Sequence, residues 1–378
     1  MQKKIKVLFI FEGLYGRGAE RISLNLVSKL DRRRFDPSMW VLRGADALQG
    51  EVPQDVNVDV ILGKNERIRH KLTQVPVSLL RLAREADVIV GTVELMPTYF
   101  AYLAGALSGK PVIGWVRNSM SHALAEQPAS WHRPLSRLVY PRFARLVFVS
   151  WGIKQTLTEM YPLREERLSV IYNPIDLARI RARQEDPLPD WAQFMTRRPT
   201  VLGLGSLQPR KGFDLLIEAH AALRARGIEH DLLILGEGHA RPQLEAQIRA
   251  LGVEDSVHLP GFFANPYPFL KRASAFALSS RYEGLANVIL EAMACGTPVV
   301  SADCPSGPAE ILENGRYGVL VPPENASALA EGLAQVLTDE ALRRQLREDG
   351  LRRAQDFASE RLVPQWEQVL EAVARREP

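Results

Sequence analysis

Two carboxylates eight residues apart, Glu283 and Glu291, punctuate the stretch SSRYEGLANVILEAMACGTPVV, which spans residues 279–300. The run ANVILEAMA is apolar almost all round, so it predicts a buried helix, where an unpaired carboxylate is costly. Glu291 therefore needs hydrogen-bond donors, and the diol of a sugar or ribose supplies them. Eight residues of helix rise about 12 Å, roughly the reach from a ribose to a sugar across a pyrophosphate. Glu283 and Gly284 would stand just before that helix, beside first-turn N–H groups that can meet phosphate or sugar oxygens. The competing reading is a capping Glu283 and a structurally paired Glu291. A second cluster, QPRKG at 208–212, puts Arg210 and Lys211 in a loop after a strand. An arginine grips phosphate as a fork and a lysine as a point charge, although one of two neighbouring cations often only faces solvent.

Glycine-rich turns narrow the chemistry. GRGAER from Gly16, GLGSLQ from Gly203 and GEGHAR from Gly236 each lack the third glycine of a dinucleotide fingerprint, having Arg21, Gln208 and Arg241 instead. The strand ending WVLRG also lacks the acid that would bind a ribose, and no G-x-x-x-x-G-K-[ST] loop occurs. These features disfavour a nicotinamide or flavin enzyme and exclude a P-loop NTPase. What remains is a set of turns feeding helix amino ends, which favour anions through exposed N–H groups and the helix dipole. Gly16 and Gly18 fit that use, and equally a tight strand-to-helix turn.

The elements that must carry these loops read as alternating strands and helices. KIKVLFIFEGLYGRGAERISLNLVSKL is strand, turn and helix, followed by the short strands PSMWVLRG, ADVIVGTV, KPVIGWVRN and ARLVFVS. The pattern restarts at PTVLGLGSLQPRKGFDLLIEAHAAL and continues through HDLLILGEG, SVHLPGF, ASAFALSS, TPVVSAD and GVLVP. Alternation of this kind predicts mostly parallel sheets covered on both faces, here two doubly wound α/β domains in tandem. The expected domains are 1–172 and 173–357, with a helix over 358–378 packing back on the first. Ligands of such sheets bind at the carboxyl ends of the strands, and two facing sheets would form a cleft.

The 378 residues are enough for two cores, and 46% hydrophobic against 24% charged residues indicates a folded chain. Two cysteines, Cys295 and Cys304, without clustered histidines argue against a disulfide framework or a structural zinc site and fit a reducing cytoplasm. No apolar run approaches the roughly 20 residues of a membrane span, and no signal peptide is visible. The net charge of +4 divides into +8 up to residue 190 and −4 beyond it. A basic front half suits an anionic surface, or is simply a solvated face. RNA-binding signatures with interleaved aromatics are absent, so a membrane leaflet is the better partner than nucleic acid. Residues 64–84, KNERIRHKLTQVPVSLLRLAR, mix cations with an apolar face, although Pro76 breaks any single helix there.

With these motifs in view, the sequence resembles the family 4 glycosyltransferases, retaining enzymes of the GT-B type with two Rossmann-like domains facing across a cleft. The resemblance covers essentially the whole chain: GAERISLNLVSKL, YNPID, GSLQPRKGFDLLIEA, LGEGHARPQLEAQI and above all SRYEGLANVILEAMACGTPVVSADCPSGPAEILENGRYGVLVPPEN, which carries the E-x7-E signature. It implies that Glu291 binds the ribose, that Glu283 binds donor-sugar hydroxyls near the reacting carbon, and that Lys211 neutralises the pyrophosphate leaving group. Gly284, Leu285, Ala286 and Asn287 would contact sugar and phosphate, and the loop at Gly16 and Gly18 would close over them. It further implies no metal and no cofactor beyond the substrate, in keeping with the lack of a D-x-D motif. Two positions depart from the common pattern. Ser206 stands where many members have a phosphate-binding arginine, which Arg210 would replace. Arg117, followed by Asn118, stands where many have a histidine facing the donor sugar, with His122 nearby, and Arg117 with Asn118 would handle acceptor or sugar oxygens in its place.

The expected function is transfer of a sugar from a nucleotide-diphosphate sugar to a hydroxyl of a lipid-linked or polysaccharide acceptor in bacterial surface glycan synthesis. A UDP sugar is favoured because PSGPAEIL resembles members that use UDP sugars more than those that use GDP-mannose, and the expected place is the cytoplasm or the inner membrane face. The alternatives are a nucleotide-sugar epimerase on the same architecture and a non-catalytic sugar-nucleotide binder.

Overall fold

A computed structural model describes residues 3–376, apart from 17, 45, 64, 65, 67–70, 72 and 128. The chain divides into two units: one runs to Pro174 and takes up the chain again at Ser359, and the other spans Ile175–Ala358. The join thus falls at Pro174–Ile175.

The first unit is built on β1 (Ile5–Gly13), β2 (Phe35–Arg43), β3 (Asn57–Leu62), β4 (Val88–Gly91), β5 (Val112–Val116), β6 (Arg145–Phe148) and β7 (Leu168–Val170). All neighbours pair in parallel, in the order β3-β2-β1-β4-β5-β6-β7. Parallel strands covered on both faces need uninterrupted apolar runs, and Val7 to Phe11 of β1 are buried without a break. Chain order reverses between β1 and β4, which makes their carboxyl ends the ligand-binding edge. Strands β3 and β7 were not legible as apolar runs. Both are edge strands: β3 buries only its last two residues, Ile61 and Leu62, and β7 has three half-buried residues.

Helix Gly18–Lys29 covers this sheet with Ile22, Leu24, Leu26 and Val27. Helix Gln74–Glu85 turns Val75, Leu79, Leu82 and Ala83 inward, with Pro76 in its first turn, where a missing N–H costs nothing. Within this helix those four residues face the core, while Val77 stays 68% exposed. Residues 64, 65, 67–70 and 72 of the basic stretch 64–84 lie outside the described residues. The chain's last helix, Ser359–Arg375, seals the unit. Its Trp366 is fully buried with its ring 4.3 Å from that of Trp115, and Glu367 accepts from the backbone N–H of Asp31 and pairs with Arg34 at 2.7 Å.

The second unit carries β8 (Thr200–Leu204), β9 (Asp231–Leu235), β10 (Val257–Gly261), β11 (Ala275–Leu278), β12 (Val299–Ala302) and β13 (Val319–Val321). These also pair in parallel, in the order β10-β9-β8-β11-β12-β13, so the reversal falls between β8 and β11. Its core gathers Leu216, Ile217 and Leu223 of helix Phe213–Ala225, Leu329 and Leu333 of helix Ala326–Thr338, and inward residues of the strands. Cys295 and Cys304 are buried and unbridged.

Candidate active site

The loops leaving β8 and β11 are stapled together at the reversal point of the second sheet. Arg281 donates its backbone N–H to the Arg210 carbonyl at 2.8 Å, and the Ser279 hydroxyl donates to the Lys211 carbonyl at 2.9 Å. Arg281 also forks onto Asp214 with bonds of 2.9 and 2.6 Å. Gly212 permits the approach: at φ +62° it turns the chain into helix Phe213–Ala225, and a Cβ there would stand 2.0 Å from the Ser279 carbonyl oxygen.

This stapling brings two of the sequence candidates together, one from each loop. Lys211 Nζ donates to Glu283 Oε1 at 2.6 Å, the Ser280 hydroxyl donates to the same oxygen at 2.6 Å, and Arg210 approaches Oε2 at 3.9 Å. Arg210 also donates to the Gln208 side chain. The Lys211 and Glu283 side chains are only 11% and 8% exposed, so their charges face one another at low dielectric. Burial by itself raises the Glu283 carboxyl; the charge and hydrogen bond of Lys211, then Ser280 and Arg210, outweigh it and leave it below the usual carboxylate range. Ser206, where an arginine was expected to be replaced, is half-buried four residues upstream in the same loop as Arg210.

After Glu283 the chain buries Gly284, Leu285 and Ala286 before entering helix Asn287–Ala294. Ala286 takes up a left-handed conformation at φ +60°, and the Ser306 hydroxyl braces the loop by donating to the Glu283 carbonyl at 2.8 Å. Two expectations need correcting here. The helix is not buried all round: Ile289, Leu290, Ala292 and Met293 face inward, whereas Asn287 and Glu291, one turn apart, share a half-open face. Nor is the path from Glu283 to Glu291 helical throughout, since only the last four steps rise along the helix, about 6 Å. The acids are therefore held by different means, one in a braced loop and the other on a helix face.

The glycine pairs of GLGS and GEGH have a packing explanation. A Cβ at Gly236 would stand 1.8 Å from the Gly205 carbonyl oxygen, and one at Gly238 would stand 2.2 Å from that of Leu207. The loops leaving β8 and β9 thus run at backbone contact, which at Gly236 and Gly238 only glycine allows.

In the first unit, Gly16 is left-handed at φ +85° and Gly18 opens helix Gly18–Lys29, while Arg17 between them lies outside the described residues. Arg117 departs from its expected substrate-facing place. Its guanidinium is buried, donates to the Ala19 carbonyl at 2.5 Å and to the Ser23 hydroxyl at 2.8 Å, and lies 3.5 Å from the centre of the Trp115 ring. Each of these contacts is with the fold, so the group clamps the first turns of helix Gly18–Lys29 instead of meeting a ligand. Burial pushes its pKa down, against the charges of Glu94 and Glu20.

Glu94 was missed in the sequence. It is buried just past β4, and its Oε1 accepts the backbone N–H groups of Arg117 and Asn118, the latter at 2.6 Å. Burial raises its pKa against those bonds. The next residue, Leu95, has φ +62° and ψ −111°, a strained conformation of the sort that collects at functional sites. An acid at the carboxyl end of a strand beside the reversal point was the available signal. His122 is half-buried on the short helix Met120–Glu126.

The description "Glycosyltransferase Family 4" matches residues 16–179, and "Glycosyl transferases group 1" matches residues 191–353. The chain belongs to the family 4 glycosyltransferases. A Campylobacter jejuni enzyme named N-acetylgalactosamine-N,N'-diacetylbacillosaminyl-diphospho-undecaprenol 4-alpha-N-acetylgalactosaminyltransferase is 27% identical over 93% of this chain and 94% of its own. The amylovoran biosynthesis glycosyltransferase AmsD of Erwinia amylovora is 22% identical over 97% of this chain and 99% of its own. HepE of Anabaena, crystallised with UDP and glucose, superposes with a TM-score of 0.82 at 21% identity, over 97% of this glycosyltransferase and 100% of HepE. The fold is GT-B, and the activity is transfer of a glycosyl group. An epimerase on this architecture finds no support among these relatives.

Proposed function

We propose that this glycosyltransferase moves a sugar from a UDP sugar to a hydroxyl of a lipid-linked or polysaccharide acceptor, with retention of configuration and without a metal, at the cytoplasmic face of a membrane. The observation that carries the reading is the Lys211–Glu283 pair between the ends of β8 and β11. Negative charge grows on the leaving pyrophosphate as the glycosidic bond breaks, and Lys211, with Arg210 beside it, supplies the opposing charge. Arg210 in this role makes up for Ser206. Glu283 accepts hydrogen bonds from donor-sugar hydroxyls in exchange for those it takes from Lys211 and Ser280. Asn287 and Glu291 offer the half-open helix face to the ribose, and Gly16 and Gly18 offer backbone N–H groups to phosphate. With Glu283 so engaged, a front-face displacement suits the site, the departing phosphate oxygen taking the acceptor proton.

The donor base is supported by HepE, whose structure holds UDP and glucose, and a polyprenyl-linked acceptor by the name of the Campylobacter relative. No helix among the described residues is long and apolar enough to cross a membrane. Peripheral attachment is supported by helix His132–Val139, beside which Trp131 is 46% exposed and on which Leu138 is 48% exposed, with Arg133 and Arg137 open to solvent.

Thermal unfolding with UDP, GDP and ADP tests the donor. UDP at 100 times its Kd should stabilise the protein by about 2.7 kcal/mol, with the other two weaker. Release of UDP from a panel of UDP hexoses and UDP N-acetylhexosamines, with a polyprenyl diphosphate N-acetylhexosamine as acceptor, separates an enzyme from a mere binder. Preference for GDP or ADP, or binding without turnover, would sink the proposal. Flotation with anionic but not neutral vesicles checks the membrane part.

A further inference from the structure

The Arg117–Asn118 pair divides its work in a way the sequence could not reveal. Arg117 turns inward and is spent on helix Gly18–Lys29, whereas Asn118 is exposed at the carboxyl end of β5. The Asn118 Nδ2 group donates to Glu94 Oε2 at 3.2 Å, while Glu94 Oε1 is occupied by the two backbone N–H groups. With its amide nitrogen turned to Glu94 in this bond, Asn118 presents its Oδ1 on the opposite side. That oxygen takes no hydrogen bond from any described residue.

We infer that Asn118 Oδ1 is a hydrogen-bond acceptor presented to a sugar hydroxyl of the substrates, and that Glu94 is the positioning residue that fixes its polarity. The outward group is neutral and the neighbouring cation is buried, so this strand end suits a hydroxyl and not a phosphate. Glu94 is 5% exposed and reaches the ligand only through Asn118. The inference rests on the transferase reading above.

A polarity swap tests it. Glu94→Gln keeps an oxygen for the two backbone N–H groups but presents its amide nitrogen to Asn118, which must then rotate and turn its own NH2 outward. Asn118→Asp alone sets two carboxylates against each other. When both substitutions are combined, the introduced glutamine donates to one oxygen of the introduced aspartate, and the other oxygen again faces outward as an acceptor. With UDP release measured as above, Asn118→Ala, Glu94→Gln and Asn118→Asp should each lower kcat/KM about tenfold or more, the scale of one lost polar contact. The double variant should return to within about threefold of wild type.

Calorimetric affinity for UDP should be unchanged in all four, and the exposed Asn118→Ala guards against a misfolded Glu94 variant. A loss confined to transfer assigns the hydroxyl to the acceptor; a loss shared by acceptor-free hydrolysis of the UDP sugar assigns it to the donor. A double variant no better than Glu94→Gln, or wild-type turnover by Asn118→Ala, overturns the inference while intact UDP binding leaves the donor reading standing. A wild-type chain that binds no UDP overturns both.

Discussion

Lys211 and Glu283 form a buried pair whose worth depends on what replaces it. Removing one partner leaves the other charge uncompensated, a cost of about 3–5 kcal/mol in buried pairs. Lys211→Ala should therefore lower the melting temperature and also reduce kcat about 10²- to 10³-fold, because the leaving-group charge loses its cation. Glu283→Gln leaves Lys211 without its counter-charge but retains an oxygen, so its stability loss should be the smaller. Calorimetry and UDP-release kinetics on the two variants separate these effects. Unchanged kcat in Lys211→Ala would remove the leaving-group role. Residue type and spacing single out the lysine and both acids as candidates, and the structure sets Lys211 on Glu283. Glu94 is not singled out in that way, since a single acid after a strand is common and its value comes from which amides the fold places around it.

At the scale of elements, helix Phe213–Ala225 is fastened to its sheet by a chain of neutral groups. His230 Nδ1 donates to the Ile228 carbonyl at 2.9 Å, which requires its Nε2 to accept from His220 Nδ1 and His220 Nε2 to accept from the Ser256 hydroxyl. Burial pushes His220 down to about 3, with His230, Arg224 and His258 adding repulsion; His230 is lowered too, although Ile228, Asp231 and Glu229 oppose the shift. Both rings are held neutral while the unfolded chain takes up protons below about 6.5, so this contribution is complete above that pH and is lost as pH falls toward the folded values. Stability should decline by about 1.4 kcal/mol per pH unit for each histidine held neutral. The Glu283 pair, with its carboxyl lowered, loses its contribution only further down, below about 4.3. Denaturant unfolding between pH 7 and 5 should therefore report the histidines, and His220→Gln should flatten the curve. An equal slope in that variant would remove this origin.

For the whole molecule, the chain's last helix completes the first sheet and not the second, so stability and donor binding should come apart. Trp366→Ala should destabilise the first unit by about 3–5 kcal/mol, as large core truncations do. Its indole N–H is buried without a partner, so Trp366→Phe should cost much less. UDP affinity, assigned to the second unit, should survive in both variants at temperatures where they remain folded. Two melting transitions, with only the first moved by Trp366→Ala, would be seen in a calorimetric scan. Loss of UDP binding in step with the first transition would contradict the assignment.

The sequence by itself determined the doubly wound pattern, its restart, the return of the tail and the identity of the charged loop residues. Apolar runs buried on both faces and glycines at strand ends are local signals, readable one segment at a time. Edge strands β3 and β7 escaped because a strand open on one side has no such run. Only the tertiary structure decided the partners. It set Lys211 on Glu283 by stapling two loops 72 positions apart, opened one face of a helix that looks apolar in sequence, and turned Arg117 inward while leaving Asn118 exposed. A side chain's charge is written in its residue type, but its direction is set by the neighbours that the sheet order places against it.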